Sequence, residues 1–207
     1  MSYFVTGATG FIGRFLVSNL LKRKGTIHVL VRKGSEKKFN TIADSMGWDK
    51  KRVIPVTGDL SKPKLGLTAV QLKALTTKKI QHFFHLAAIY DLSADGASQQ
   101  VANIDGTKHA IECATAIKAG CFHHTSSIAA AGLYRGIFRE DMFKEAEDLD
   151  NDPYFRTKHE SEGLVRKTCK IPYRIYRPGF VVGHSKTGEM DKIDGPYYLF
   201  TLIKKIR

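Results

Sequence analysis

Short apolar segments alternate with longer amphipathic stretches along the whole chain of 207 residues. Six short segments have the length of a β-strand and end near Gly, Asp or Ser: residues 3–6, 27–31, 53–56, 82–86, 122–125 and 173–176. Between them apolar residues recur at helical spacing, as at Phe11, Phe15, Leu16 and Leu20, and later at Val101, Ile104 and Ile111. The pattern predicts strands that alternate with helices.

This alternation predicts the fold class. A strand, a crossover helix and a second parallel strand form a right-handed unit, and repeated units build a parallel sheet with helices on both faces. We therefore predict an α/β fold with a doubly wound parallel sheet flanked by helices. A typical domain has about 150 residues, so a chain of this length is predicted to form one compact domain over residues 1–207.

The composition is that of a globular protein with an excess of positive charge. Hydrophobic residues make up 43% and charged residues 26%, which excludes a disordered or collagen-like chain. The formal net charge is +13, but the Lys and Arg residues are dispersed and form no stripe, so no nucleic-acid partner is predicted. A positive surface favours anionic ligands such as nucleotide phosphates, coenzyme A or an acidic carrier protein.

The cysteines and the apolar runs add expectations about redox state and location. Cys113, Cys121 and Cys169 form no CxxC pair, which argues against a disulfide framework and against a zinc site. No apolar run has the length of a transmembrane segment, and the first residues lack the basic and apolar regions of a signal peptide. A cytoplasmic protein with reduced thiols is expected.

Two pairs of histidines invite a metal interpretation. His82 with His85, and His123 with His124, lie in predicted strands, so the members of a pair point to opposite faces or lie three residues apart. Such pairs have poor geometry for a metal ion. Packed or exposed histidines without a metal are therefore predicted.

A glycine-rich turn follows the first predicted strand and precedes a predicted helix, in the sequence TGATGFIG of residues 6–13. Gly7 would permit the tight turn, Gly10 the close approach of a pyrophosphate, and Gly13 the packing of the helix on the strand. Helix N–H groups and the positive end of the helix dipole stabilise such a phosphate. The spacing is GxxGxxG, so glycines that only make a turn remain the alternative.

The ends of the second and third predicted strands bear on the choice of dinucleotide. An NAD site places an acidic residue after the second strand, whereas a 2′-phosphate requires a cation there. This chain has Arg32 at that position, which favours NADP(H), with an uninvolved surface arginine as the alternative. Asp59 ends the third strand, where a carboxylate can accept a hydrogen bond from the adenine amino group.

Hydroxyl, phenol and ammonium groups follow the fifth predicted strand. Ser126 and Ser127 come directly after it, and Tyr154 and Lys158 are one turn apart in a helix that begins near Pro153. A nearby ammonium lowers the pKa of a phenol, so Tyr154 is expected to transfer a proton while Ser127 polarises a carbonyl. Lys158 can also bind the nicotinamide ribose. A chance pair of Tyr and Lys at this spacing is the alternative.

Taken in order, these motifs resemble the extended short-chain dehydrogenases/reductases, whose fold is Rossmann-type, over nearly the whole chain. The resemblance rests on residues 6–13, GDL at 58–60, HLAA at 85–88, Asn103 with Gly106-Thr107, Ser126-Ser127, 154–158 and RPG at 177–179. LVR at 30–32, DLSKP at 59–63 with LGL at 65–67, and Gly183, Ser185, Thr187 and Gly188 are similar to the thioester and fatty acyl reductase branch, the male-sterility type. That branch uses NADPH to reduce an acyl thioester to an aldehyde, sometimes on to the alcohol.

The resemblance implies roles for individual residues. The implied catalytic residues are Ser127, Tyr154 and Lys158, with Ser126 as the competitor of Ser127. The implied cofactor-binding residues are Gly7, Thr9, Gly10, Phe11, Ile12, Gly13, Arg32, Asp59, Leu60, Ala87 and Lys158. Asn103 is expected to be structural, Pro178 and Gly179 are expected to shape the wall beside the nicotinamide, and no metal is implied.

The expected function is NADPH-dependent reduction of an acyl thioester, bound to coenzyme A or a carrier, or of a related carbonyl. HLAA at 85–88 is also found in epimerases and dihydroflavonol reductases, so a nucleotide-sugar epimerase or dehydratase and a dihydroflavonol-reductase-like carbonyl reductase are alternatives. A non-catalytic dinucleotide-binding regulatory protein is a third, because nucleotide binding does not prove turnover.

The end of the chain adds an expectation about completeness. In the extended family the segment after RPG builds a substrate-binding subdomain, which is expected to be largely missing here. The last residues are apolar at helical spacing: Tyr197, Tyr198, Leu199, Phe200, Leu202, Ile203 and Ile206, followed by basic Lys204, Lys205 and Arg207. Such a helix should pack on more of the same polypeptide, on a second subunit or on a membrane surface. We expect the dinucleotide-binding part of a longer or split reductase, a weak catalyst alone that self-associates.

Overall fold

The computed structural model of the protein describes residues 1–88, 99–190 and 196–206. Arg207 lies outside these residues. The chain divides into two compact units, Met1–Arg177 and Pro178–Arg207. The first unit holds the whole sheet.

Among the described residues, six parallel strands form one sheet in the first unit. They are β1 (Ser2–Thr6), β2 (Thr26–Val31), β3 (Val53–Thr57), β4 (His82–His85), β5 (Cys121–Thr125) and β6 (Tyr173–Tyr176). Their order across the sheet is β3-β2-β1-β4-β5-β6. Every boundary lies within one residue of the predicted one. The sequence places them well because each apolar run is short and ends at a polar or glycine-rich turn.

In the described part of the chain, six α-helices connect or follow the strands. They are α1 (Phe11–Leu21), α2 (Glu36–Ser45), α3 (Ala69–Thr77), α4 (Gly106–Ala116), α5 (Pro153–Thr168) and α6 (Pro196–Ile206). The helical pattern that begins at Val101 forms a π-helix over Gln100–Asp105, directly before α4. Short 3₁₀ turns occur at Pro63–Gly66, Ile128–Ala131 and Leu149–Asn151.

Both faces of the sheet carry a hydrophobic core. On one face, Phe4, Phe83 and Phe122 lie side by side across β1, β4 and β5, with ring centroids 4.8 and 5.4 Å apart. This core includes buried residues of α4 and α5 such as Ala114 and Val165. Alternate residues of the strands point to the other face, where Tyr3, Val5, Ile27 and Val29 pack with α1 and α2. The predicted doubly wound α/β fold of Rossmann type is confirmed.

The strand order determines where a ligand site can form. From β1 the chain moves outward to β2 and β3, and it then returns to the other side of β1 to form β4. A crevice opens at the carboxyl ends of the strands where the direction of winding reverses, and ligands of open α/β sheets bind there. In this protein the crevice lies between the ends of β1 and β4.

The described residues of the second unit include a turn and the terminal helix. The Gly188 N–H donates to the His184 carbonyl at 2.8 Å, and the Gly183 N–H donates to the Tyr197 hydroxyl at 2.9 Å. The helical pattern predicted for the end of the chain is confirmed as α6. Leu199, Phe200, Leu202 and Ile203 of this helix are each more than half exposed. Among the described residues, no helix has the length and apolar character needed to cross a membrane.

Candidate active site

The glycine turn lies at the crevice between β1 and β4, and two of its glycines are sterically required. Gly7 has a φ of +73°, and a Cβ there would lie 2.6 Å from the backbone nitrogen of Ala87. At Gly13 a Cβ would lie 2.1 Å from the Gly7 carbonyl oxygen. Larger side chains at either position would push α1 or the end of β4 away. These contacts agree with the steric roles expected of Gly7 and Gly13.

At the third glycine, Gly10, the protein has space for a Cβ atom. A Cβ at Gly10 would lie 3.4 Å from the Gly7 carbonyl oxygen, at the edge of ordinary contact. Gly10 begins α1 with no side-chain cap, and the first turn of α1 holds no acidic residue. The N–H groups at the start of α1 are therefore suited to bind an anion, and the site fits the pyrophosphate of a dinucleotide.

The residues of the first turn of α1 differ in exposure. Thr9 and Phe11 are half-buried, and Ile12 is exposed on the helix surface. The ring of Phe11 packs edge-on against Phe15, with centroids 5.4 Å apart. Cofactor contacts by Thr9, Phe11 and Ile12 stay predictions.

Arg32 and Asp59 lie at the same edge of the sheet, after β2 and β3. Arg32 is exposed, whereas the half-buried carboxylate of Asp59 accepts hydrogen bonds from Ser61, at 2.9 Å from its N–H and 2.8 Å from its hydroxyl. These hydrogen bonds, with a smaller contribution from Arg32, hold the pKa of Asp59 below its usual range. An ionised Asp59 near a cationic Arg32 is compatible with the two adenosine-side roles, which stay predictions.

Leu60 and Ala87 are placed by contacts of their own. The Leu60 carbonyl accepts from His109 Nδ1 at 2.9 Å, and the Leu60 side chain lies where Gly106 leaves space. The Ala87 N–H donates to Thr6 Oγ1 at 3.3 Å, which ties the ends of β4 and β1 together. Both residues follow the carboxyl ends of strands, and their cofactor contacts stay predictions.

Helix α5 brings Tyr154 to Ser127. The helix begins at Pro153, and the Tyr154 N–H donates to the Asp152 carboxylate at 2.7 Å, which caps the first turn. The buried side chains of Tyr154 and Ser127 lie close enough for Ser127 to lower the pKa of the phenol. Ser126 instead donates to Glu162 at 2.8 Å. The geometry therefore favours Ser127 over Ser126 as the partner of the phenol.

Lys158 lies one turn after Tyr154 and is buried. Its ammonium donates to the Thr125 carbonyl at the end of β5, at 2.8 Å. Burial lowers the pKa of Lys158 to about 8, and the nearby Glu162 carboxylate opposes that shift. The cation is thus held at the carboxyl edge of the sheet, beside the Ser127 backbone.

The expected lowering of the Tyr154 pKa is wrong for this structure. Burial raises the pKa of Tyr154, and the interaction with the Ser127 side chain only partly offsets this. The reason is that Lys158 is directed at the Thr125 carbonyl while the phenol lies in a desolvated position. Tyr154 therefore stays protonated near neutral pH, which suits a proton donor.

Glu162 was missed by the sequence analysis and is fully buried. Its carboxylate accepts from Ser126 at 2.8 Å, from Arg166 at 2.9 Å and from Arg177 at 2.6 and 3.0 Å. Burial alone would raise the pKa of Glu162, but the hydrogen bonds from Arg177, Ser126 and Arg166 outweigh it and lower the pKa. Glu162 thus ties α5 to the ends of β5 and β6. The sequence feature that could have identified Glu162 is its position four residues after Lys158, on the same face of the helix.

A buried chain of hydrogen bonds connects the end of β1 with α5. Thr6 Oγ1 lies 2.8 Å from His85 Nδ1, and His85 Nε2 lies 3.1 Å from Thr107 Oγ1. Thr107 donates to the Asn103 carbonyl at 2.6 Å, and the Asn103 amide donates to Thr157 at 3.2 Å. Burial and the charge of Lys158 lower the pKa of His85 to about 3, so the ring is neutral. Asn103 thus links α5 to the segment before α4, in keeping with the structural role expected of it.

Pro178 and Gly179 begin the second unit. Their predicted place beside the nicotinamide stays a prediction.

Comparisons with known proteins agree with this geometry. The model of an NAD-binding family described as male sterility protein matches residues 5–207. A linear gramicidin synthase from Brevibacillus parabrevis is 33% identical over 205 residues, which are 92% of this chain and 4% of that protein. Aldehyde reductase lnaA from Aspergillus flavus is 29% identical over 215 residues, which are 92% of this chain and 20% of that protein.

A solved structure is similar as well. The terminal R domain from the myxalamid PKS-NRPS biosynthetic pathway superposes with a TM-score of 0.78 and 32% identity. The match covers 90% of this chain and 50% of that structure. The chain thus spans half or less of each of these three relatives.

Proposed function

The chain belongs to the male sterility family of NAD-binding domains, within the extended short-chain dehydrogenases/reductases, and from this premise we propose that it takes part in NADPH-dependent reduction of an acyl thioester to an aldehyde. The observation that carries the proposal is the pairing of the buried Ser127 and Tyr154 side chains, in which Ser127 lowers the pKa of the phenol. Lys158 lies one turn further along α5, and the glycine turn lies at the same edge of the sheet. A hydroxyl, a protonated phenol and a cation are thereby gathered where a dinucleotide would bind.

The proposed cofactor contacts follow the crevice. The turn of residues 6–13 would hold the pyrophosphate, Arg32 the 2′-phosphate and Asp59 the adenine amino group. Leu60 and Ala87 would border the cofactor, and Lys158 would bind the nicotinamide ribose. When bound, the reduced dinucleotide supplies the hydride.

The protein's own residues would supply the proton and stabilise the charge. Ser127 donates a hydrogen bond to the thioester carbonyl oxygen, and Tyr154 passes its proton to that oxygen as negative charge develops. Solvent then restores the proton to Tyr154. Hydride and proton together convert the thioester carbonyl to a hemithioacetal, whose C–S bond breaks to give an aldehyde and a free thiol.

We propose that the thioester is carrier-bound. Two of the relatives are a linear gramicidin synthase and a terminal domain of a PKS-NRPS pathway, and the present chain has a net charge of +13. A carrier with negative charge, or the phosphate of its phosphopantetheine arm, would be attracted to such a surface.

Single-turnover assays at high protein concentration test the proposal, because they detect slow reduction. The chain is mixed with NADPH and, in separate reactions, an acyl-pantetheine thioester, the matching aldehyde and a nucleotide sugar, and the products are identified by mass spectrometry. The nucleotide-sugar reaction also contains NAD⁺ and NADP⁺, because an epimerase first oxidises its substrate. Aldehyde formation that disappears in Tyr154→Phe supports the proposal. Conversion of the nucleotide sugar without net NADPH consumption would indicate an epimerase, and NADPH binding with no product would indicate a non-catalytic protein.

A further inference from the structure

Two histidines and a cysteine come together at the amino ends of two neighbouring strands. His82 is the first residue of β4 and lies opposite Cys121, the first residue of β5. His123, two positions after Cys121, points to the same face of the sheet. One ring nitrogen of each histidine and the sulfur of Cys121 all lie within 4.8 Å of one another, and these three residues are called the His/Cys cluster.

The histidine pairs visible in the sequence lie along single strands, whereas this cluster forms across two strands. His82 and His85 in β4, like His123 and His124 in β5, do have the poor geometry expected of them. Only the order of β4 and β5 in the sheet brings His82 to His123. The spacing along the chain therefore gave no signal for the cluster.

We propose that the His/Cys cluster binds a divalent transition-metal ion, with Zn²⁺ as the ion that best suits its ligands. Two imidazole nitrogens and a thiolate are borderline-soft donors, which favour zinc over Mg²⁺ or Ca²⁺. Three protein ligands leave a fourth tetrahedral position for water. The cluster lies at the amino edge of the sheet, whereas the proposed active site lies at the carboxyl edge.

The spacing of the nitrogens suits this ion. His82 Nδ1 lies 3.0 Å from His123 Nε2. Two nitrogens bound tetrahedrally to zinc at about 2.0–2.1 Å are roughly 3.3 Å apart, so the rings need to separate by only a few tenths of an ångström. The Cys121 sulfur lies within 4.8 Å of one ring nitrogen of each histidine, and because tetrahedral zinc places sulfur and nitrogen roughly 3.6 Å apart, it needs to approach them by about an ångström at most.

Aromatic neighbours hold the two imidazoles in place. His123 stacks on Phe84, with centroids 4.3 Å apart, and on Tyr176, with centroids 5.9 Å apart. Tyr3 stacks on His82 at 5.9 Å. The Tyr176 hydroxyl also lies 2.9 Å from His123 Nδ1, which leaves Nε2 directed at His82. Metal-bound histidines usually have such a partner on the second ring nitrogen.

Charges around the cluster have opposing effects on metal binding. The exposed guanidinium groups of Arg174 and Arg23 interact with His82, and Arg174 also interacts with Cys121 and His123. They oppose a bound cation, but solvent and salt screen exposed charges. Burial raises the pKa of the Cys121 thiol, and Arg174 only partly offsets this. On binding, Zn²⁺ replaces the Cys121 thiol proton, which passes to solvent without any change in oxidation state.

Metal titration of the tag-free, chelator-treated chain tests the site. Zn²⁺ is titrated in competition with a chromogenic chelator, and Co²⁺ is added separately as a spectroscopic probe. One ion per chain is expected, and Co²⁺ should give tetrahedral visible bands with a thiolate charge-transfer band. Cys121→Ser should lose that band and weaken Zn²⁺ binding at least about tenfold, and Tyr176→Phe should weaken it about tenfold and keep the band.

Cys169→Ser is the matched control, because Cys169 is a second half-buried thiol that is not in the cluster. It should keep both the stoichiometry and the band. The proposal is overturned if folded wild-type chain takes up no ion, which would leave His82 and His123 as a hydrogen-bonded pair, or if Cys121→Ser and Cys169→Ser behave alike. Circular dichroism of each variant checks folding, and His82→Asn, at a half-buried position, replaces any variant that does not fold.

Discussion

The two halves of the sheet position their functional groups by different physical means. In the half that contains β1 to β3, the turn is shaped by the absence of side chains, since a Cβ at Gly7 or Gly13 would meet backbone atoms at 2.6 or 2.1 Å. In the half that contains β4 to β6, side chains are held by buried charges and hydrogen bonds centred on Glu162 and Lys158. The first half is governed by steric exclusion and the second by polar pairing.

This difference determines how each half should fail. A side chain added to the glycine turn creates a clash and displaces backbone, which affects cofactor binding. Removal of a polar partner from the second half leaves a buried charge or hydroxyl without compensation, which affects stability or chemistry. The variants below separate these two kinds of failure.

Tyr154→Phe should have the largest effect, and the effect should be on chemistry alone. The substitution removes the proposed proton donor and its interaction with Ser127 but keeps the ring. Loss of a general acid costs roughly 10²–10⁴-fold in turnover, while NADPH affinity should stay within a few-fold. Lys158→Ala should reduce both. The measurements are single-turnover rates and NADPH fluorescence titration, and a Tyr154→Phe variant with most of the wild-type rate would show that the assigned mechanism is wrong.

Glu162→Gln should have the next largest effect, on stability. The substitution keeps the shape of the side chain but leaves Arg177 and Arg166 without their carboxylate, and breaking a buried ion pair costs about 3–5 kcal/mol. Denaturant unfolding measures this change. Glu160→Gln, an exposed glutamate on the same helix, is the control and should change the free energy of unfolding by less than about 1 kcal/mol.

The same carboxylate should make stability depend on acid. The folded-state pKa of Glu162 is lowered, so its contribution is complete above the unfolded-state pKa and is lost as pH falls through the folded-state value. Wild-type stability should therefore fall with acid more steeply than that of Glu162→Gln. Parallel acid dependence of the two proteins would contradict this assignment.

The sequence predicted much of the fold because the relevant signals are local. Each strand is a short apolar run that ends at a turn, and the glycine turn is a contiguous motif. Ser127, Tyr154 and Lys158 were found because the last two are one helical turn apart and all three resemble a known motif. These features need no knowledge of which strands are neighbours.

The features that the sequence did not reveal depend on long-range packing. Glu162 has its role only because β6 brings Arg177 beside α5, and His82 meets His123 only because β4 pairs with β5. The pKa of Tyr154 was predicted in the wrong direction because desolvation depends on the atoms packed around the phenol. Motif spacing contains no information about any of these.

Gly13→Ala and Gly10→Ala should separate folding from ligand contact in the glycine turn. The added methyl group at residue 13 would meet the Gly7 oxygen, and overpacking of this kind costs about 1–3 kcal/mol. At residue 10 the protein has room, so stability should change little while NADPH binding weakens if the pyrophosphate lies there. Thermal unfolding and NADPH titration of both variants provide the comparison. Unchanged NADPH affinity in Gly10→Ala would remove Gly10 from the proposed phosphate site.

Arg32→Asp should have the smallest effect, a change of cofactor preference. Arg32 is exposed at the end of β2, so solvent screens its interaction with a 2′-phosphate. This interaction should strengthen NADPH binding about tenfold, which is the lower end of the range for a charge-assisted hydrogen bond. The variant should lose affinity for NADPH and gain affinity for NADH, because a carboxylate there can accept hydrogen bonds from the ribose hydroxyls. Lys33→Asp changes the charge equally at the neighbouring exposed residue and controls for the general field of the protein. A residue that contacts the 2′-phosphate should affect NADPH binding more than a neighbouring residue of the same charge. If both variants shift NADPH affinity equally, Arg32 therefore does not select the cofactor. Equal binding of NADPH and NADH by the wild-type protein would lead to the same conclusion.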